Sequence, residues 1–73
     1  MTSTVGITTR QQQVVDAILK ARARHPSYGP TFREIATAIG TSVNDVVEKC
    51  RRLKRDGVIA WEPGIARSLR VEP

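Results

Sequence analysis

The side chains with the clearest chemical potential in this 73-residue sequence lie between residues 44 and 55. The first part of the segment carries groups that can meet base edges in a DNA groove: Asn44, Asp45, Val47 and Glu48. An asparagine can pair with adenine, a carboxylate can accept from cytosine N4, and a valine methyl can contact the thymine methyl. The second part carries cations that suit phosphate contacts: Arg51, Arg52, Lys54 and Arg55. This order predicts a helix that reads bases with its first turns and is held by phosphate contacts around them.

The same residues also fit a second interpretation, which is an ordinary solvated helix face. Asp45 then only complements the positive end of the helix, and Glu48 only pairs with Arg51 or Arg52. The two acids support this alternative, because they raise the cost of approaching phosphate. The position of the segment, directly after a glycine turn and on the second of two short helices, favours the base-reading interpretation.

The segment from residue 44 to residue 55 must be held in place by a helical framework. The sequence predicts three helices, at about 9–24, 31–39 and 43–56, and the segment lies in the third. In the first helix Val14, Ile18 and Ala21 recur at helical spacing, which predicts one buried face. Two prolines and a glycine within residues 25–30 then break the chain. The second helix therefore starts as a separate element.

Local capping signals fix the ends of the second and third helices. Thr31 and Glu34 form a capping box, and Gly40 can take the left-handed conformation that ends the second helix. Ser42 is a good N-cap for the third helix, and Gly57 stops it. Two short helices joined by a glycine turn predict a helix-turn-helix.

The third helix has one apolar stripe, formed by Val46, Cys50 and Leu53, which we expect to face the core. Cys50 is therefore expected to be a small core residue and not a reactive thiol. The opposite side presents polar and charged residues: Asn44, Glu48, Arg51 and Arg55.

A hairpin is predicted after the third helix, with strands at about 58–62 and 67–71. It completes a winged helix-turn-helix, mainly α with a small β-hairpin. We expect Ile59 and Trp61 on its core face. Arg67 and Arg70 could contact phosphates or the minor groove from this wing. The alternative is a plain edge hairpin whose charges discourage aggregation.

Composition bounds the class of protein. The chain is long enough for one domain, predicted at 8–73 after a flexible lead at 1–7. A net charge of +5 and a sequence pI near 10.4 favour a polyanionic partner.

One Cys and one His cannot form a zinc site, so no metal or cofactor is expected. Neither a membrane span nor a signal peptide is evident, and we expect a soluble, cytoplasmic protein, nucleoid-associated when bound to DNA. His25 has no acid at an informative spacing, so an enzyme is not expected.

Several motifs taken together are similar to one known family. They are Ile7-Thr8-x-Arg10-Gln11-Gln12-x-Val14, Gly29-Pro30-Thr31-x-x-Glu34-Ile35-Ala36, Ile39-Gly40, Ser42-x-Asn44, Leu53-x-Arg55-x-Gly57-Val58-Ile59 and Gly64-x-x-Arg67-x-Leu69-Arg70. With them the chain resembles the N-terminal DNA-binding domain of LexA-type repressors over nearly its whole length. The resemblance implies a transcriptional repressor that binds a two-fold symmetric, inverted-repeat operator as a homodimer. It implies base contacts at the first turns of the third helix: Ser42, Asn44, Asp45, Val47 and Glu48.

Some features depart from the family pattern. Only Ser42, Asn44 and Glu48 keep the residue type expected at base-reading positions, and Val43 replaces an expected proline. The operator sequence therefore does not carry over, although the docking mode does. LexA-type repressors also have a self-cleaving serine-lysine domain that supplies dimerisation, whereas this sequence ends at Pro73. We expect a small stand-alone regulator, such as those of phages and mobile elements, or an excised domain, without the cleavage response.

Two other functions remain open from the sequence. One is a protein-binding winged helix, such as an anti-repressor or an adaptor, for which an exposed Leu19 would suit a partner surface. The other is an architectural protein that binds DNA without sequence preference. No small-molecule ligand is evident for any of the three.

Overall fold

The computed structural model describes residues 9–72 and has three helices followed by a two-stranded antiparallel sheet. The helices are α1 (Thr9–Arg24), α2 (Phe32–Ile39) and α3 (Val43–Arg55), and the strands are β1 (Ile59–Ala60) and β2 (Arg70–Val71). The winged helix-turn-helix predicted from the sequence is confirmed. The predicted lead at 1–7 lies outside the described residues.

The start of α2 is the capping box that the sequence predicts. The Thr31 hydroxyl accepts a hydrogen bond from the Glu34 amide at 3.0 Å, and Glu34 Oε1 accepts one from the Thr31 amide at 3.0 Å. Thr31 is extended and serves as the N-cap, so α2 begins at Phe32, one residue after the predicted start. The cap fixes the direction in which the chain enters the helix-turn-helix.

A three-residue turn joins α2 to α3. Gly40 has a φ of +76°, and the amide of Thr41 donates to the carbonyl of Ala36 at 3.0 Å, which closes the last turn of α2. The Ser42 hydroxyl then accepts from the amide of Asp45 at 3.1 Å and caps α3, as predicted.

The end of α3 is a Schellman motif. The amide of Val58 donates to the Leu53 carbonyl at 2.9 Å, and the amide of Gly57, at φ +79°, donates to the Lys54 carbonyl at 3.1 Å. Asp56 is the C-cap, so α3 ends at Arg55, one residue before the predicted end.

The core lies where the three helices and the hairpin meet. Its fully buried side chains come from every one of these elements: Val14, Ile18, Ile35, Val46, Cys50, Leu53 and Ile59. The predicted stripe of α3 is therefore confirmed. On α1, Ala21 is only half-buried, and Leu19 is 51% exposed.

The wing is shorter in β-structure than the sequence predicts. Its strands have two residues each, with Ile59 opposite Val71 and Ala60 opposite Arg70, instead of the predicted 58–62 and 67–71. Beyond this pairing the Ser68 hydroxyl accepts from the Glu62 amide at 2.9 Å and donates to its carbonyl at 3.2 Å. These side-chain bonds stand where a longer ladder would have backbone bonds.

The aromatic residue at the base of the wing packs against α2. Ile59 is buried and Trp61 is half-buried, with its ring edge-on to Phe32 at a centroid distance of 5.5 Å. Both therefore lie on the core face of the hairpin, as predicted. Among residues 9–72, none of the helices is long and apolar enough to cross a membrane.

Candidate nucleic-acid interface

The outer face of α3 is the candidate interface. Burial of Val46, Cys50 and Leu53 directs the opposite side of the helix into solvent. The four residues that the sequence places on that face are exposed there: Asn44, Glu48, Arg51 and Arg55. Arg52 is exposed beside them. Val47 is half-buried at the border of the face.

Asp45, a predicted base contact, is bound by residues of α1, of the turn between α2 and α3, and of α3 itself. Its carboxylate accepts from Lys49 Nζ at 2.9 Å and from the Thr41 hydroxyl at 3.0 Å, and Arg10 Nε lies 3.5 Å away. The Lys49 bond, followed by the Thr41 bond, lowers the pKa of Asp45 below its ordinary 3.8. Its charge is thus compensated, and the carboxylate fixes the turn between α2 and α3.

Asn44 and Glu48 are more available than Asp45. The structure records no hydrogen bond from the Asn44 side chain to any of residues 9–72, and the side chain is exposed. Glu48 Oε1 is 3.5 Å from Lys49 Nζ, and Glu48 Oε2 is 4.0 Å from Arg52 Nη2, which are long ion pairs on the surface. The amide of Asn44 can therefore donate and accept toward a base edge without first breaking a protein contact.

The predicted phosphate-contacting cations of α3 differ in how strongly they are held. Within residues 9–72, Arg51 has no ion pair, and Arg55 has only a 3.8 Å contact between its Nε and Asp56 Oδ1. Lys54 Nζ instead donates to the Trp61 carbonyl at 3.2 Å and lies 4.3 Å from the centre of the Trp61 ring. Lys54 thus joins α3 to the base of the wing.

The two predicted wing cations are both in bidentate ion pairs. Arg67 contacts Glu34 at 2.9 and 3.0 Å, and Arg70 contacts Glu62 at 3.0 and 3.2 Å. The hydrogen bond from Arg70 lowers the pKa of Glu62. The sequence indicates neither pair, because it does not reveal which acid lies beside each arginine.

Two cations that are not among the sequence candidates lie in or beside the helix-turn-helix. Arg10 links α1 to the turn, because its Nη1 lies 3.5 Å from the Ile39 carbonyl and its Nε lies 3.5 Å from Asp45. Arg33 is an exposed cation in the first turn of α2, and the structure records no ion pair for it within residues 9–72. The first helix of a helix-turn-helix crosses the DNA backbone, where an exposed cation can contact a phosphate.

Comparison with known proteins identifies the family. The sequence model of the LexA DNA binding domain matches residues 4–68. The chain belongs to the LexA DNA-binding domain family. It is 39% identical over 67 residues to the LexA repressor of Cupriavidus metallidurans, a match that covers 90% of this chain and 30% of that protein. It is 42% identical over 66 residues to the LexA repressor of Paraburkholderia phytofirmans, covering 89% and 30%.

The LexA repressor of Methylococcus capsulatus is 38% identical over 66 residues, covering 89% of this chain and 32% of the relative. The chain therefore spans about 30% of the length of these relatives. Membership of the LexA DNA-binding domain family makes the chain a domain that binds double-stranded DNA. The exposed cations on the outer face of α3 fit DNA binding. Membership of the family disfavours the protein-binding alternative.

Proposed function

We propose that this LexA-family domain is a sequence-specific DNA-binding module of a transcriptional repressor, with residues 8–73 as one folding unit. The observation that carries the proposal is the exposed side chain of Asn44, without a partner among residues 9–72, in the first turn of α3. The proteins that match it along 90% of its length are named repressors. A repressor acts on the chromosome, so we expect the protein in the cytoplasm, associated with the nucleoid when bound.

In the proposed complex α3 enters the major groove. Asn44, Val47 and Glu48 meet base edges, while Ser42 and Asp45 reach bases only in addition to the bonds that cap α3 and hold its turn. Arg51, Arg52 and Arg55 contact phosphates, and Arg33 adds a contact from α2. Lys54 stays at the base of the wing and can extend to a phosphate from there.

The operator is proposed to be an inverted repeat bound by two copies of the domain. The family resemblance supports this arrangement, and a two-fold symmetric dimer of helix-turn-helix units requires half-sites separated by one helical turn, roughly 34–36 Å, or by a multiple of it. The two copies place their α3 helices in successive major grooves on one side of the duplex.

Two substitutions test the division between base and phosphate contacts. Asn44→Ala should remove the contact to one base pair of the preferred site, which weakens binding to that site by ~1–3 kcal/mol. The affinity for other sequences should stay the same. Arg51→Ala should weaken binding to all sequences alike and reduce the salt slope of the affinity by about one unit. Lys20→Ala, an exposed cation on α1, is the matched control. If Asn44→Ala leaves discrimination between bases intact, the assigned reading face is wrong.

A further inference from the structure

The wing cation Arg67 is bound by the body of the domain through both its side chain and its backbone. Its Nη1 donates to Glu34 Oε1 at 3.0 Å and to the Gly29 carbonyl at 3.3 Å, and its Nη2 donates to Glu34 Oε2 at 2.9 Å. Its own carbonyl accepts from the Gly29 amide at 2.8 Å. The guanidinium carbon also lies 5.1 Å from the centre of the Tyr28 ring. All these partners belong to the α1–α2 loop or the first turn of α2.

The backbone of Arg67 is in the left-handed region, with a φ of +57°, and no other non-glycine residue among residues 9–72 has a positive φ. A residue with a β-carbon adopts this conformation at a cost and needs compensating contacts. The bidentate bond to Glu34 supplies them, because the planar guanidinium matches the carboxylate in both distance and direction.

Glu34 serves two structures at once. Its Oε1 completes the capping box of α2 by accepting from the Thr31 amide, and both of its oxygens accept from Arg67. These bonds, from Arg67 first, lower the pKa of Glu34 from 4.5 to about 2, so the carboxylate is charged at neutral pH. The residue that completes the N-terminal cap of α2 is thus also the residue that holds the wing.

Resting on the proposed function, we propose that Arg67 is a positioning residue and not a phosphate contact, and that the Glu34–Arg67 pair sets the wing relative to α2. The pair fixes the loop after β1 against the helix that leads into α3, so wing and reading helix reach DNA as one rigid surface. The wing needs this link because its own ladder pairs only two residues per strand.

The two roles of Arg67 predict opposite effects of Glu34→Gln. Glutamine can still form the capping box, so this variant removes mainly the ion pair. If Arg67 contacts phosphate, Glu34 competes with DNA for its charge, and Glu34→Gln strengthens binding. If Arg67 positions the wing, Glu34→Gln weakens binding as Arg67→Gln does.

The experiment measures DNA affinity over a series of salt concentrations for wild type, Glu34→Gln, Arg67→Gln and the double variant. The probe is the duplex that the wild-type domain enriches from random sequences, and circular dichroism establishes that each variant is folded at the measuring temperature. We expect each single variant to lose roughly fivefold in affinity, the double variant to lose no more, and the salt slope to stay that of wild type. Stronger binding by Glu34→Gln, or a slope lower by about one unit for Arg67→Gln, would overturn the proposal.

A measurement without DNA separates this proposal from the proposed function. Hydrogen exchange of the Gly29 amide, which is bonded to the Arg67 carbonyl, should become faster in both single variants, while that of the Val58 amide at the end of α3 should not change. Unchanged exchange at Gly29 would refute the positioning role, whether or not the domain binds DNA.

Discussion

The backbone amide of Gly29 donates a hydrogen bond to the carbonyl of Arg67 over 2.8 Å, which joins the α1–α2 loop to the wing. Gly29 is buried, and its α-carbon lies against the backbone of Leu69 so closely that a β-carbon would overlap the Leu69 carbonyl oxygen. Two stretches of backbone can approach in this way only when one of them has no side chain. The wing is therefore docked on the loop through main-chain atoms.

Gly29→Ala should destabilise the domain by about 1–3 kcal/mol, because an added methyl group must displace the backbone of the wing. In a domain of this size each kcal/mol of lost stability lowers the midpoint of thermal unfolding by roughly 4–8 °C. Ser27→Ala, at an exposed position in the same loop, is the control and should change stability by less than about 0.5 kcal/mol. A Gly29→Ala variant as stable as wild type would show that the loop and wing are not in close contact.

The Glu34–Arg67 pair predicts a particular dependence of stability on pH. Since the pKa of Glu34 is lowered from 4.5 to about 2 in the folded domain, the pair contributes fully above about pH 4.5 and is lost as the pH falls toward 2. Wild type should thus lose stability relative to Glu34→Gln across that window, as followed by urea midpoints from pH 7 to pH 2.5. The difference should be smaller in high salt, because the pair is exposed. Parallel curves for the two proteins would contradict the ion pair.

The single cysteine should be unreactive in the folded domain. Burial raises the pKa of Cys50 from 9.0 to about 12, and the side chain is fully buried between α3 and the rest of the core. Labelling by a thiol reagent at pH 8 should be slower than in the denatured chain by roughly two orders of magnitude or more. The same protein in concentrated guanidinium is the control. Equally fast labelling in both states would place Cys50 at the surface.

The elements that the sequence predicts well are those with local signals. Thr31 and Glu34, three residues apart, indicate the start of α2. The helical spacing of Val46, Cys50 and Leu53 identifies the buried side of α3. These features depend only on neighbours along the chain, so they can be predicted without knowledge of the tertiary structure.

The features that the sequence does not predict depend on distant partners. Arg67 lies 33 residues from Glu34, and nothing in its surroundings indicates that the wing folds back onto α2. Asp45 is similarly held by Arg10 of another helix as well as by its neighbours. The Ser68 side chain is bonded to the Glu62 backbone where a longer ladder would continue, which a period-two pattern does not reveal.

Selection from a random pool of duplexes by the wild-type domain, at moderate salt, tests the central claim that α3 reads sequence. The proposed function predicts enrichment of a defined site, with two half-sites arranged as an inverted repeat. A single enriched half-site would retain base reading by α3 and contradict binding as a dimer. A pool that binds the domain and shows no enrichment would contradict the claim itself, because phosphate contacts alone carry no sequence preference.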